Sequence, residues 1–89
     1  MFEIYGRNNC SFCKDAIALL REGDFHYKYF NIEEDANALA AFKEHFPGVK
    51  TVPQIRINTW TNDSYGTTEH IGGYTELVEW LNKHYTKSS

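Results

Sequence analysis

Two cysteines lie close together in this sequence, in the segment Cys10-Ser11-Phe12-Cys13. A pair at this spacing can exchange disulfides, contribute to a metal site or be incidental. The sequence contains no further cysteine, and two are too few for a disulfide-stapled miniprotein of the secreted class. A zinc site needs four ligands, and no two of the four histidines have the short spacing of a ligand pair. Redox exchange is therefore the leading interpretation, with metal binding and an incidental pair as alternatives.

The hydrophobic pattern around the cysteines predicts a strand followed by a helix. Phe2 and Ile4 alternate with their neighbours, as on a short strand. Apolar residues then recur at helical spacing over residues 13–20, and Gly23 is a suitable C-terminal stop. Cys10 consequently falls just before the helix or in its first turn.

This position gives Cys10 a property that Cys13 lacks. The unpaired N–H groups and the positive dipole end at a helix start stabilise an anion, and Arg7 and Lys14 add positive charge. Cysteines at such sites have thiol pKa values of roughly 3.5–7.5 instead of about 8.5. A lower pKa makes Cys10 a good leaving group in a mixed disulfide. Cys13, one turn along and expected to be half-buried, is placed to attack that disulfide and resolve it.

The remaining patterns complete an alternating arrangement of strands and helices. In chain order they predict a strand over residues 25–32, a helix from the N-cap Asp35 to Pro47-Gly48, a strand opened by Pro53, a strand over residues 69–71 and a helix from the N-cap Thr75 to Tyr85. A β-α-β unit requires parallel strands, and two directly joined strands are most simply antiparallel. The fold class is therefore α/β, with the order βαβαββα and a mixed four-stranded sheet flanked by three helices.

Length and charge exclude several classes of protein. Eighty-nine residues make a single domain, over residues 1–89, and the net charge is −3. No block of like charge reaches five residues, which argues against binding to nucleic acid or to an anionic membrane. No apolar run approaches the roughly 18 residues of a membrane span. The first residues lack the pattern of a secretory signal, so we expect a cytoplasmic protein.

Three motifs make the sequence similar to a known family over nearly its whole length. They are Tyr5-Gly6-Arg7 leading into Cys10-Ser11-Phe12-Cys13, Thr51-Val52-Pro53-Gln54-Ile55, and His70-Ile71-Gly72-Gly73-Tyr74-Thr75-Glu76. In this order they resemble the glutaredoxins of the small dithiol class. The Met-Phe-x-x-Tyr-Gly opening is also similar to that of phage-encoded glutaredoxins.

The resemblance implies a thioredoxin fold and a glutathione-dependent thiol–disulfide oxidoreductase. Cys10 would be the nucleophile and Cys13 the resolving cysteine, with protein disulfides and protein–glutathione mixed disulfides as substrates. Glutathione would be the reducing co-substrate, and no resident metal is expected. The residues that the resemblance assigns to glutathione binding are Arg7, Phe12, Thr51, Val52, Pro53, Gly73, Tyr74, Thr75 and Glu76.

The family pattern also suggests how glutathione would be held. A cis Pro53 would turn the backbone of Val52 towards Cys10, where it can pair with the cysteinyl part like an added strand. The N–H groups of Thr75 and Glu76 suit the γ-glutamyl carboxylate. Glu76 is one methylene longer than the aspartate that is usual at its position, where the family pattern implies a contact with the γ-glutamyl amine.

The other end of glutathione and the partners follow from the same comparison. Arg7 could pair with the glycyl carboxylate, and Lys50 is a second candidate for that role. Partners would be disulfide-containing proteins, with ribonucleotide reductase as one candidate, and the protein would be a monomer.

Two departures from the family pattern leave alternatives open. Ser11 replaces the usual proline, and some glutaredoxins with serine there hold a [2Fe–2S] cluster between two subunits, which keeps open a role of Cys10 as a cluster ligand. The connection over residues 58–68 is longer than usual for the family. Trp60 and Tyr65 within it are expected to cap the sheet edge, with a partner-docking surface as the alternative.

Overall fold

A four-stranded mixed sheet organises the chain, whose residues 1–59 and 67–84 are described by a computed structural model. The elements are β1 (Phe2–Gly6), α1 (Ser11–Glu22), β2 (Tyr27–Asn31), α2 (Ala36–His45), β3 (Gln54–Thr59), β4 (Thr67–Gly72) and α3 (Tyr74–His84). The strand order is β2-β1-β3-β4. β1 and β2 are parallel, whereas β3 is antiparallel to both β1 and β4. The predicted α/β architecture and its thioredoxin fold are confirmed.

Successive side chains of β1 point to opposite faces of the sheet and are buried on both. Phe2 and Ile4 point to the face covered by α1 and α3, and Tyr5 points to the face covered by α2. The first core consists of Phe2, Ile4, Ala16, Leu20, Ile55, Ile57 and Leu77. The second consists of Tyr5, Phe42 and Phe46. The central strand therefore lies in the middle of three layers, and its C-terminal end leads directly to the cysteines.

A charged pair crosses the sheet on the α2 face. Glu3 on β1 lies opposite Arg56 on β3, and the Arg56 Nε–H donates to a Glu3 carboxylate oxygen. Tyr5 lies beside this pair, and burial raises the pKa of its hydroxyl. The phenol consequently stays neutral in the interior of the second core.

Helix α3 begins earlier than the sequence suggests, so the expected N-cap Thr75 is wrong. The Leu77 N–H donates to the Gly73 carbonyl at 2.9 Å, which makes Gly73 the residue that precedes the helix. Because glycine has no side chain to cap with, Glu76 does so and accepts from the Gly73 N–H at 2.7 Å. Thr75 is therefore the second helical residue, with its backbone N–H directed outwards from the helix start.

The other boundaries differ from the expectations by a few residues. β2 starts at Tyr27 because the Phe25 N–H still bonds to the Leu20 carbonyl at the end of α1, at 3.0 Å. No helix within residues 1–59 and 67–84 is long and apolar enough to cross a membrane.

Three sequence-based expectations concern residues outside those ranges: the capping of the sheet edge by Trp60 and Tyr65, and the end of the last helix at Tyr85.

Gly6 ends β1 at the point where the strand passes Cys13. A Cβ atom at Gly6 would lie 2.7 Å from the Cys13 Sγ and 2.9 Å from Cε1 of Tyr29. Both distances are shorter than carbon can approach without displacing a neighbour. Only glycine therefore lets the central strand and the first helix come this close.

A Gly6→Ala variant tests this close approach. We expect the free energy of unfolding to fall by about 1–3 kcal/mol, as for other overpacked cores. Urea unfolding under reducing conditions measures the loss. In a Cys13→Ala background the same substitution should cost less, because the sulfur that it meets is gone. An equal loss in both backgrounds would show that Cys13 is not the obstacle.

Candidate active site

Cys10 is the N-cap of helix α1, and its sulfur acts as the capping atom. Its backbone is extended, with φ −114° and ψ 104°, and its Sγ accepts a hydrogen bond from the Cys13 N–H at 3.2 Å. The Lys14 N–H donates to the Cys10 carbonyl, which is the first bond of the helix. Negative charge on this sulfur would face a backbone donor and the positive end of the helix dipole. The predicted position of Cys10 is confirmed.

The two cysteines form a disulfide and differ in their access to solvent. Their Cα atoms are 5.2 Å apart. Cys10 retains 8% of its surface exposed and Cys13 only 2%, so the expectation of a half-buried Cys13 is wrong. Cys13 is covered because it belongs to the apolar stripe of α1 and lies against Gly6. In the described ranges, no three His, Cys, Asp or Glu side chains converge on a possible metal position.

Side chains of β2 hold the loop that precedes Cys10. The Tyr29 hydroxyl donates to the Arg7 carbonyl at 3.2 Å. Burial raises the pKa of this hydroxyl, and the nearby Glu34 and Glu33 carboxylates raise it further. Tyr29 consequently remains a protonated donor, and Arg7 keeps its place beside the cysteines.

Asn8 ties the same loop to the residues that follow β2. Its N–H donates to the Glu33 carboxylate at 2.7 Å, and its side-chain oxygen accepts from the Asn31 amide at 2.9 Å. Asn9 then takes a positive φ of 56°, which turns the chain into the N-cap. These contacts could not be predicted from the sequence, because the polar residues that make them lie more than 20 positions apart.

A groove of about 190 Å³ lies beside the start of α1 and contains most of the predicted glutathione residues. Its lining consists of Phe12, Thr51, Val52, Pro53, Gln54, Gly73, Tyr74, Thr75 and Glu76. Eight of the nine predicted residues are thus brought together, and Arg7 is the exception. Gln54 also lines the groove and was not predicted, although it follows Pro53 in one of the three family motifs.

One wall of this first groove is the segment before β3. The Val52–Pro53 peptide bond is cis, as expected from the family resemblance. The Gln54 amide donates to both the carbonyl and the hydroxyl of Thr51, each at 3.1 Å. These contacts close Thr51–Gln54 into a turn that presents the Val52 backbone at the surface.

The opposite wall is the turn from β4 into α3. Gly72 has a φ of +121°, a conformation that side chains with a Cβ rarely adopt. A Cβ there would also lie 2.9 Å from Cβ and Cγ of Glu76. The turn therefore delivers the N–H groups of Thr75 and Glu76 to the groove, where they have no acceptor within the helix.

Phe12 connects the cysteine segment to this second wall. It is 58% exposed, and its ring stacks on Tyr74 with 6.1 Å between centroids and 28° between planes. The exposed Phe12 ring, supported by Tyr74, provides an apolar contact area close to Cys10 for a ligand that reaches the sulfur.

Arg7 lies in two further grooves that adjoin the first. The second, of about 610 Å³, includes Arg7 and Lys50 and shares Thr51 and Val52 with the first groove. The third, of about 590 Å³, is lined by both cysteines, Arg7 and Lys14 among others. The second groove therefore shares residues with both of the others, and the third contains the disulfide together with Arg7 and Lys14.

Comparison with sequence families and curated relatives agrees with this geometry. A model of the family Glutaredoxin matches residues 2–59. The probable glutaredoxin of Synechocystis sp. is 31% identical over 75 residues, which cover 84% of this chain and 75% of that protein. Glutaredoxin-1 of Ectromelia virus is 33% identical over 81 residues, which cover 85% of this chain and 67% of the viral protein. A phage origin stays a prediction.

Solved structures lead to the same family. Glutaredoxin 1 of Francisella tularensis, determined as a cacodylate complex, has a TM-score of 0.64 and 28% identity, covering 97% of this chain and 96% of that one. A buckwheat glutaredoxin–glutathione complex also has a TM-score of 0.64 and supports the fold, with 18% identity over 92% of this chain and 68% of that one. With its sulfur-capped helix and its Cys10–Cys13 pair, the chain belongs to the glutaredoxin family and is a thiol–disulfide oxidoreductase.

Proposed function

We propose that this glutaredoxin uses glutathione to reduce protein disulfides and protein–glutathione mixed disulfides. The observation that carries the proposal is the first groove, whose lining includes eight of the nine expected glutathione residues beside the N-cap cysteine. The buckwheat glutaredoxin with the same fold was determined as a glutathione complex, which supports glutathione as the ligand.

Glutathione would extend from the first groove into the second. Its γ-glutamyl carboxylate would accept from the N–H groups of Thr75 and Glu76 at the start of α3. Its cysteinyl backbone would pair with Val52, which the two grooves share. Its glycyl carboxylate would then lie in the second groove near Arg7 and Lys50, which explains why Arg7 is absent from the first.

The reduction of a protein disulfide takes two exchange steps. The Cys10 thiolate attacks one substrate sulfur, and the other leaves as a thiolate that takes up a proton. Cys13 then loses its proton and attacks the Cys10 sulfur, releasing the second substrate thiol and forming the disulfide seen in the structure. The electron pair thus passes from the two cysteines to the substrate.

Two glutathione molecules restore the dithiol. The first glutathione thiolate attacks the Cys10 sulfur, which is the more exposed of the two, and Cys13 leaves and is protonated. The second attacks the bound glutathione sulfur, giving oxidised glutathione and the Cys10 thiolate. A stabilised Cys10 thiolate speeds this last step because it is the leaving group. A substrate already joined to glutathione needs Cys10 alone.

The cycle also needs a suitable compartment and protein substrates. Continuous turnover of the pair requires a reducing compartment, for which we propose the cytoplasm. The working unit is a monomer, and ribonucleotide reductase is one candidate among the protein substrates. Transport of a [2Fe–2S] cluster would need Cys10 as a free thiolate ligand, and no contact among residues 1–59 and 67–84 favours it over the disulfide.

Replacing each cysteine separately tests their roles. Cys13→Ser should retain reduction of a protein–glutathione mixed disulfide and lose most reduction of protein disulfides, because only the latter needs a resolving thiol. Cys10→Ser should reduce neither substrate above the uncatalysed background. Turnover coupled to glutathione oxidation measures both activities. Equal losses from the two variants would contradict the division of roles.

The pH dependence of alkylation tests the stabilised thiolate. In the reduced Cys13→Ser protein, the rate of reaction with iodoacetamide should rise with pH through the Cys10 pKa, because only the thiolate reacts. Contacts at the helix start favour the charged form, so the midpoint should lie between about 3.5 and 7.5. A midpoint near the ordinary value of about 8.5 would contradict stabilisation by the N-cap.

Glu76 allows its structural and binding roles to be separated. A Glu76→Gln variant keeps an oxygen that can accept from the Gly73 N–H, but it loses the charge that would attract the γ-glutamyl ammonium group. We expect KM for glutathione to rise about two- to fivefold, with the unfolding free energy unchanged within about 0.5 kcal/mol. Glu79→Gln, on the same helix outside the groove, is the matched control. Equal KM values for the two variants would refute the contact.

A further inference from the structure

Gln54 carries a buried side-chain amide, with 6% of the residue's surface exposed. Its Nε2 donates to the carbonyl and the hydroxyl of Thr51, so both amide hydrogens are used. Its Oε1 lies 2.8 Å from Nε2 of His70. A buried amide is costly unless its donors and acceptor are paired, and here each of them has a partner.

The contacts of Gln54 determine the protonation of His70. Because the Gln54 nitrogen faces the Thr51 carbonyl, its oxygen must be the atom that faces His70. Nε2 of His70 therefore carries a hydrogen and donates it to Gln54. The imidazole also contacts the buried ring of Phe46, with 4.6 Å between centroids, which fixes its orientation. Gln54 and His70 therefore both lie on the face of the sheet that α2 covers.

This hydrogen bond connects the two walls of the first groove. Gln54 closes the turn that presents Val52, whereas His70 belongs to β4, which leads into the Gly72–Gly73 turn. The pairing of β3 with β4 is irregular between these points: Arg56 lies opposite His70, but Ile55 lies opposite Gly72. Ile71 is consequently an extra residue, a bulge that bends β4 just before the second wall.

We propose that Gln54 and His70 form a brace that sets the width of the glutathione groove. His70 is a positioning residue, since it does not line the groove, and Gln54, which does line it, positions Thr51 through its amide. The inference rests on the proposed use of glutathione and assigns a function to two motif residues that the mechanism leaves without one. Glutathione must contact both walls at once, so a change in their separation weakens its binding without altering the Cys10 sulfur.

The test replaces His70 with residues that remove or keep its donor. His70→Phe retains a ring against Phe46 but leaves the Gln54 oxygen without its N–H. We expect KM for glutathione to rise about tenfold, as expected for a buried acceptor left unpaired. Reduction driven by dithiothreitol, which needs no groove, and the pH midpoint of Cys10 alkylation should be unchanged. His70→Gln, which again offers an N–H of similar reach, should restore most of the glutathione affinity.

His45→Phe is the matched control, because that histidine also lies beside Phe46, at 6.3 Å, and forms no bond to Gln54. A KM unchanged in His70→Phe, or raised equally in His45→Phe, would overturn the brace. A parallel fall in the glutathione and dithiothreitol reactions would also overturn it, since that result indicates general loss of structure. If the unaltered protein turned over with dithiothreitol but not with glutathione, the proposed function itself would fail.

Discussion

The structure depends on how the open N-terminus of α1 is satisfied. The first N–H groups of any helix lack partners within it, and a serine, threonine or aspartate usually supplies an acceptor. Here a cysteine sulfur takes that position, with the Cys13 N–H as its donor. The same arrangement that ends a strand and begins a helix thereby favours a charged sulfur at the surface. Local folding and chemical reactivity share one set of atoms, and the surrounding loops serve to keep that sulfur in place.

The loop and the two groove walls come from parts of the chain that are distant in sequence. β1 delivers the cysteine loop, the segment before β3 delivers the Val52 backbone, and the turn after β4 delivers the α3 N-terminus. The mixed sheet makes these three ends adjacent, since β1 and β3 are neighbours and β4 lies next to β3. Long-range contacts such as those of Tyr29 with Arg7 and of His70 with Gln54 then fix their separations. The site is therefore a property of the sheet as a whole.

Much of this arrangement could be predicted from sequence because its signals are local. Each signal lies within a few residues: the alternating apolar side chains of β1, the apolar stripe of α1 and the glycine that ends this helix. Together they predict that α1 starts at Cys10. The start of α3 was misplaced because Thr75 is a good capping residue by type, whereas the Gly73 backbone and the Glu76 side chain share that task. Gln54 and the burial of Cys13 were missed since both depend on neighbours supplied by other elements.

The covering of Cys13 by β1 has a consequence for oxidative damage. An adduct or an additional oxygen on a sulfur requires room around it, and Cys13, which lies against Gly6 with 2% of its surface exposed, has less of that room than Cys10. Peroxides and bulky electrophiles therefore reach the Cys10 sulfur more readily, and its sulfenic acid can condense with Cys13 to give the ordinary disulfide. Cys13 thus protects Cys10 from irreversible overoxidation, because thiol or dithiol reductants can reduce the resulting disulfide and restore the active enzyme.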